Sequence, residues 1–330
     1  MKEIIISANE AGQRLDKMLA KYLKEAPKSF LYKMLRKKNI VLNGKKATGN
    51  EKLSEQDSVK LFLADETISK FSGQKLTVIQ SDTKLNIIYE DDDVVFINKP
   101  VGMLSQKAKE NDISVVEHLT AHLIQSKSLS EEELLTFRPS ICNRLDRNTS
   151  GIIVAGNSLT GLQAMSELFR QRTLRKYYRC LVVGVVKSPR KIHGYLIKDE
   201  TSNTVRISKE KLKEDGKKRG VAENGSMIQT EYISLGSNGE ISLLEVHLIT
   251  GKTHQIRAHL ASIGHPIIGD YKYGNRKVND TYKSRFGVES QLLHSYRLEF
   301  PILTGDLNQL SEKTFIAEPP RLFQKICEEL

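Results

Sequence analysis

Cysteine is scarce in this chain. The 330 residues hold three, Cys142, Cys180 and Cys327, an odd number with no Cys-x-x-Cys pair. That usage argues against a disulfide framework and a structural zinc, and for reduced thiols in the cytoplasm. Long apolar runs are missing too: none approaches the ~18 residues that a membrane helix needs. The opening stretch, Met1-Lys2-Glu3-Ile4-Ile5-Ile6-Ser7, carries an acid and too short an apolar run for a secretory leader. No internal repeat is visible. The expectation is a cytoplasmic monomer with no membrane partner.

What is present describes a globular protein, 39% hydrophobic and 28% charged, with length enough for two domains and a sizeable core. The net charge is +11, and its placement is uneven. Residues 1–75 hold 16 Lys and Arg against 9 Asp and Glu, a surplus of +7 in under a quarter of the chain. Concentrated basic charge of this kind points to a polyanion, RNA or DNA.

Apolar spacing predicts a helix over 11–25, with Leu15, Met18, Leu19, Tyr22 and Leu23 on one face. Pro27 ends it, and Ser29 is expected to cap a second helix that finishes at Arg36-Lys37-Lys38. Ile40 to Leu42, the Asn43-Gly44 turn and Ser58 to Leu63 read as a small hairpin-like sheet. Residues 64–84 are polar and read as a linker, dividing the chain into units at 1–75 and 85–330. Beyond it, strands are expected at 85–89, 94–98, 152–155, 177–186, 227–235, 241–249 and 292–300. Helices are expected at 114–124, 159–171 and 254–262, with a shorter one at 130–135. Residues 187–225 read as a hairpin with an exposed basic loop at Lys209 to Arg219. Strands outnumber helices and are joined mostly by turns, so the predicted class is α+β around a largely antiparallel sheet.

Three segments carry candidate chemistry. Asn143-Arg144-Leu145-Asp146-Arg147-Asn148-Thr149-Ser150-Gly151 sets one acid between two arginines, and a nearby positive charge favours the ionised form of a carboxylate. By itself that is either a nucleophile or base working on nucleic acid, or a salt-bridged turn. Thr250-Gly251-Lys252-Thr253-His254-Gln255-Ile256-Arg257 invites a phosphate-loop reading. That loop needs a glycine five residues before Gly251, and position 246 is Val. His254, His259 and His265 match no zinc spacing. What remains is a glycine turn and helix start aiming Lys252, His254 and Arg257 at one spot, suited to a phosphate or carboxylate. In Lys176-Tyr177-Tyr178 the two tyrosines lie on opposite strand faces, and one could offer a flat surface to an unstacked base.

Together these segments resemble the signatures of the RluA-type RNA pseudouridine synthases. Asn143 to Gly151 is similar to their His/Asn-Arg-Leu-Asp-x-x-Thr-Ser-Gly motif, and Lys176-x-Tyr178-x-Cys180-Leu181-Val182-x-Gly184 to their second. Thr250 to Arg257, continuing through Gly264-His265-Pro266, Gly269-Asp270 and Tyr273-Gly274, is similar to their third. Leu85 to Pro100 is similar to their opening segment. The first 75 residues, with Arg14-Leu15-Asp16 and Asn43-Gly44, resemble the small S-four-like RNA-binding unit of the RluC and RluD branches. The departures are Asn143 where many members have His, Lys252 where Arg is frequent and Cys180 where Ala is usual.

The resemblance implies a pseudouridine-synthase fold over 85–330 and a reaction without cofactor or metal. Asp146 would attack a flipped uridine, leaving open whether base or sugar is struck first. Arg257 would pair with Asp146, and Tyr178 would stack on the base and assist the final proton removal. Arg144, Arg147, Lys176, Lys252 and His254, with Arg14, Arg36, Lys37 and Lys38 of the first unit, would contact RNA. The appended unit and Asn143 favour large-subunit (23S) ribosomal RNA. The alternatives are the same chemistry on transfer RNA, and a non-catalytic RNA-binding or ribosome-assembly protein.

Overall fold

The computed structural model describes residues 1–72, 83–199, 201–210 and 225–330. The first elements are β1 (Lys2–Ile5), α1 (Leu15–Tyr22), α2 (Lys28–Arg36), β2 (Ile40–Leu42), β3 (Lys45–Lys46), β4 (Ser58–Leu61) and α3 (Asp65–Ser72). The strands form their own four-stranded sheet, β1-β4-β2-β3. Leu15, Met18, Leu19 and Tyr22 recur at helical spacing and are buried against it. The β2–β3 hairpin turns at Asn43 and Gly44, both at positive φ, as a two-residue primed turn requires. The Asn43 side chain donates to Asp57 and accepts from the Ser58 amide, both at 2.8 Å, tying the turn to β4.

Two expectations fail here. Ser29 does not cap α2: Pro27 does, its carbonyl accepting from Phe30, because a fixed φ near −60° already suits helix entry. The linker reading of 64–84 fails over Asp65–Ser72, which is α3. Two acids at its positive end favour the helix, and Ile68 and Phe71 pack on the first core, with Phe71 4.7 Å from the Phe30 ring. Polar composition masked that short apolar face. Residues 73–82 of the expected linker lie outside the described residues, as does the expected basic loop from 211 onward.

The second group comprises β5 (Ile87–Glu90), β6 (Val94–Lys99), α4 (Val115–Gln125), β7 (Ser140–Ile141), β8 (Ser150–Gly156), α5 (Leu159–Gln171), β9 (Arg175–Val183), β10 (Arg190–Asp199), β11 (Thr204–Ser208), β12 (Ser226–Ser237), β13 (Ile241–Leu248), α6 (Gln255–Ser262), α7 (Arg276–Phe286), β14 (Leu293–Glu299), β15 (Thr314–Ile316) and α8 (Arg321–Cys327). They build an eleven-stranded sheet along the order β11-β10-β12-β13-β9-β14-β8-β6-β5, with β15 on β14 and β7 on β8. The pairings are antiparallel except that of β14 with β8, so the α+β class with a mixed, largely antiparallel sheet holds. Ser114 starts α4 with a capping box to Glu117. Residues 133–137 meet the N-terminal unit: Leu135 packs on its core, and the Thr136 hydroxyl donates to the buried carboxylate of Glu10.

The parallel contact places β8, and the loop before it, against the strand carrying Ser295. Gly151 permits this: its φ is +107°, and a Cβ there would lie 2.2 Å from the Ser295 carbonyl oxygen. Gly151→Ala should therefore cost about 3 kcal/mol or more, read as a shift of the urea midpoint at constant m-value.

Candidate active site

The loop between β7 and β8 carries Asp146, and its backbone is fixed from several sides. The Leu145 amide donates to the buried Ser105 hydroxyl at 3.1 Å, and that hydroxyl donates to the Leu145 carbonyl at 2.7 Å. The Thr149 amide donates to the Asp146 carbonyl at 3.0 Å. Asn143 bridges to β8, donating to the Ile152 carbonyl at 3.2 Å and accepting from the Val154 amide at 2.8 Å. Lys99, fully buried, donates to the carbonyls of Pro100, Met103 and Arg147 at 2.9, 2.9 and 3.0 Å. Burial pushes its amine down to about 8, opposed by the charge of Asp146.

Opposite the loop, the turn after β13 and the start of α6 bring in Arg257 and His254. Arg257 Nη1 donates to Asp146 Oδ2 at 2.8 Å, while its Nε and Nη2 grip both oxygens of Asp270 at 2.7 and 3.0 Å. One guanidinium thus spans two carboxylates 124 positions apart in the chain. Burial works against its charge, but Asp270 and Asp146 outweigh this and raise its pKa. Asp270, itself buried, also accepts from the amides of Lys272 and Tyr273.

His254 Nε2 stands 3.8 Å from Asp146 Oδ2. Its Nδ1 lies 2.8 Å from the Tyr273 hydroxyl, which accepts from the Val205 amide at 2.9 Å. With that acceptor position filled, the Tyr273 proton is free to go to Nδ1, so the neutral imidazole carries its proton on Nε2, toward Asp146. Burial lowers the His254 pKa, Asp146 opposing and Arg257 and Lys272 adding to it. The turn is secured by Gln255, whose Oε1 accepts from Thr250 and from the Lys252 amide, and whose Nε2 donates to Gln229 and Thr230.

Tyr178 closes the site from β9. It is buried and stands across from Ser295 of β14. Burial pushes its phenol up to about 12 and the charge of Asp146 adds to the rise, so it is protonated at neutral pH. Tyr177 takes the other face, stacked 4.9 Å from His247 and under the Arg297 guanidinium.

Asp146, Arg257, His254 and Tyr178 therefore converge. Arg144 and Arg147 are exposed, Arg147 donating through Nε to the Gly102 carbonyl at 3.0 Å. Lys252 is exposed on its turn, and Lys176 is half-buried. Arg36, Lys37 and Lys38 are exposed at the end of α2, whereas Arg14 is engaged with Asp16 and Asn50. Sequence reasoning gave no role to Lys99, Ser105, Asp270, Tyr273 or Ser295. Signals for Asp270 and Tyr273 were there, both within the third motif, and Lys99 lay within the opening segment; Ser105 and Ser295 show only in three dimensions.

A family model described as RNA pseudouridylate synthase matches residues 93–262, and the chain belongs to that family, the isomerases that act on RNA. It is 31% identical over 301 residues to the ribosomal large subunit pseudouridine synthase C of Vibrio cholerae, covering 90% of this chain and 88% of that one. The protein of the same description from Vibrio parahaemolyticus is also 31% identical, over 310 residues, with 91% and 89% covered. Among solved structures, Human RNA Pseudouridylate Synthase Domain Containing 4 superposes with a TM-score of 0.58 at 26% identity, covering 74% of this chain and 92% of that one.

Proposed function

We propose that this chain converts uridine to pseudouridine in large-subunit (23S) ribosomal RNA, with Asp146 attacking an extruded uridine. The observation that carries the assignment is the Asp146–Arg257 pair. Arg257 holds Oδ2 at 2.8 Å while the side chain keeps 27% exposure, so the carboxylate is oriented and still open to a substrate. Oriented nucleophiles of this kind split a difficult displacement into two easier steps. Tyr178 supplies the face on which the uracil rests and assists the last proton transfer. Arg144, Arg147 and Lys252, exposed around the opening, suit phosphates, while His254, set between Tyr273 and Asp146, meets the extruded nucleotide inside the site. Extruding a base costs a few kcal/mol, which stacking and phosphate contacts offset.

The names of the two Vibrio relatives support ribosomal RNA over transfer RNA. The reading extends to residues 1–75 as an S-four-like RNA-binding unit, to 85–330 as the catalytic unit, and to a monomer working in the cytoplasm. Tritium release from transcripts labelled on the uracil ring tests the substrate: release from large-subunit RNA with none from transfer RNA is expected, and the reverse result rejects it. For the first unit, replacing Arg36, Lys37 and Lys38 together with Gln should flatten the dependence of log affinity on log salt by about 2. Filter binding over a potassium chloride series reads that slope, and a slope equal to wild type removes the unit from the RNA interface.

A further inference from the structure

Beside the site stands a cationic group, Lys176, that makes no ion pair among the described residues. Lys176 lies two residues before Tyr178 on β9, so both side chains leave the same face, about 7 Å apart along the strand. The Lys176 ammonium sits 5.9 Å from the centre of the Phe169 ring. It is 3.8 Å from where a Cβ on Gly251 would stand, which brings it to the turn that leads into His254. Arg172, exposed at the end of α5, is its charged neighbour, and Lys252 is exposed on the turn. Burial first and Arg172 second push the Lys176 amine down, and among the described residues no acid acts to raise it.

Half-burying a lysine without a counter-charge costs free energy. The negative end of α5 is a weak remedy, because the carbonyls of Leu168 and Phe169 there already accept from the Arg172 and Thr173 amides. Gly251 has no side chain to obstruct an approaching group, and it is exposed. We propose that Lys176, Arg172 and the Gly251–Lys252 turn form a seat for one RNA phosphodiester, adjacent to the uridine held against Tyr178. The proposal rests on the reading that a uridine is held there. It gives the seat a register: one backbone phosphate is anchored two residues along the strand from the tyrosine that holds the base, so the nucleotide is drawn out by a grip on its own backbone.

Two measurements on the full chain test it. The first is fluorescence anisotropy of a labelled oligouridylate over a potassium chloride series. Lys176→Gln is expected to weaken binding about tenfold and flatten the salt slope by about 0.7. Lys176→Arg should restore both, and Gly251→Leu, which fills the seat without changing charge, should weaken binding. The second is tritium release from a large-subunit transcript, where Lys176→Gln should raise KM far more than it lowers kcat. Wild-type affinity and slope in Lys176→Gln would overturn the seat, as would a fall in kcat at constant KM. If the wild-type protein isomerises no RNA, the proposed function fails, while the oligouridylate measurement still decides on the phosphate seat.

Discussion

Asp146→Asn is expected to lower turnover by on the order of 10⁴-fold or more, the scale seen when a nucleophile is deleted, with RNA affinity within about threefold of wild type. The reasoning rests on what the amide keeps and loses. Its oxygen can still accept from Arg257 Nη1, and the backbone ties at Leu145 and Thr149 do not involve the side chain. Arg257 retains the bidentate grip of Asp270, so no buried charge is stranded and the fold should hold. What disappears is the carboxylate oxygen that the proposed attack requires. Tritium release, filter binding and thermal unfolding together separate these effects, and residual activity within tenfold of wild type would sink the assignment.

Arg257→Ala should have the largest combined effect, because it strikes two carboxylates at once. Asp270 is 1% exposed, and removing its cation leaves a buried charge whose remaining partners among the described residues are the amides of Lys272 and Tyr273. Breaking such a pair from one side costs about 3–5 kcal/mol. Asp146 loses its orienting donor in the same step, so activity should vanish as stability falls. The pairing of Arg257→Met with Asp270→Asn distinguishes the two roles: urea denaturation should show most of the lost stability restored, with tritium release still at background. Recovery of activity in that double variant would mean that Arg257 serves the fold alone.

Much of this arrangement was legible in the chain because its parts are local. The amphipathic stripe of α1, the Asn43-Gly44 turn and the alternation along β9 each declare themselves within a dozen residues. The pairing of Asp146 with Arg257 crosses 111 positions, yet the motifs around each residue marked both. Less visible were features defined by what lies across a gap. Lys99 reads as the end of an apolar strand, and only the structure shows three carbonyls around its ammonium. Ser295 is an unremarkable strand residue until the Gly151 backbone and Tyr178 meet it. Helices α7 and α8 escaped notice for a different reason. Arg276–Phe286 buries only Asn279 and Tyr282, and Arg321–Cys327 is two turns long, so neither carries a strong apolar period.

The ties on the 143–149 loop bear on the order of events when RNA arrives. Fixing a residue's backbone costs roughly 1–2 kcal/mol of conformational entropy, and here Ser105, Asn143 and Lys99 make that expenditure during folding. The carboxylate is in position before any uridine reaches it. The motion left to govern the approach to chemistry then belongs to the RNA, which must unstack a base and swing it inward. The speed of the enzyme on different sites should accordingly follow how readily each uridine leaves its helix, with loosely paired uridines processed fastest.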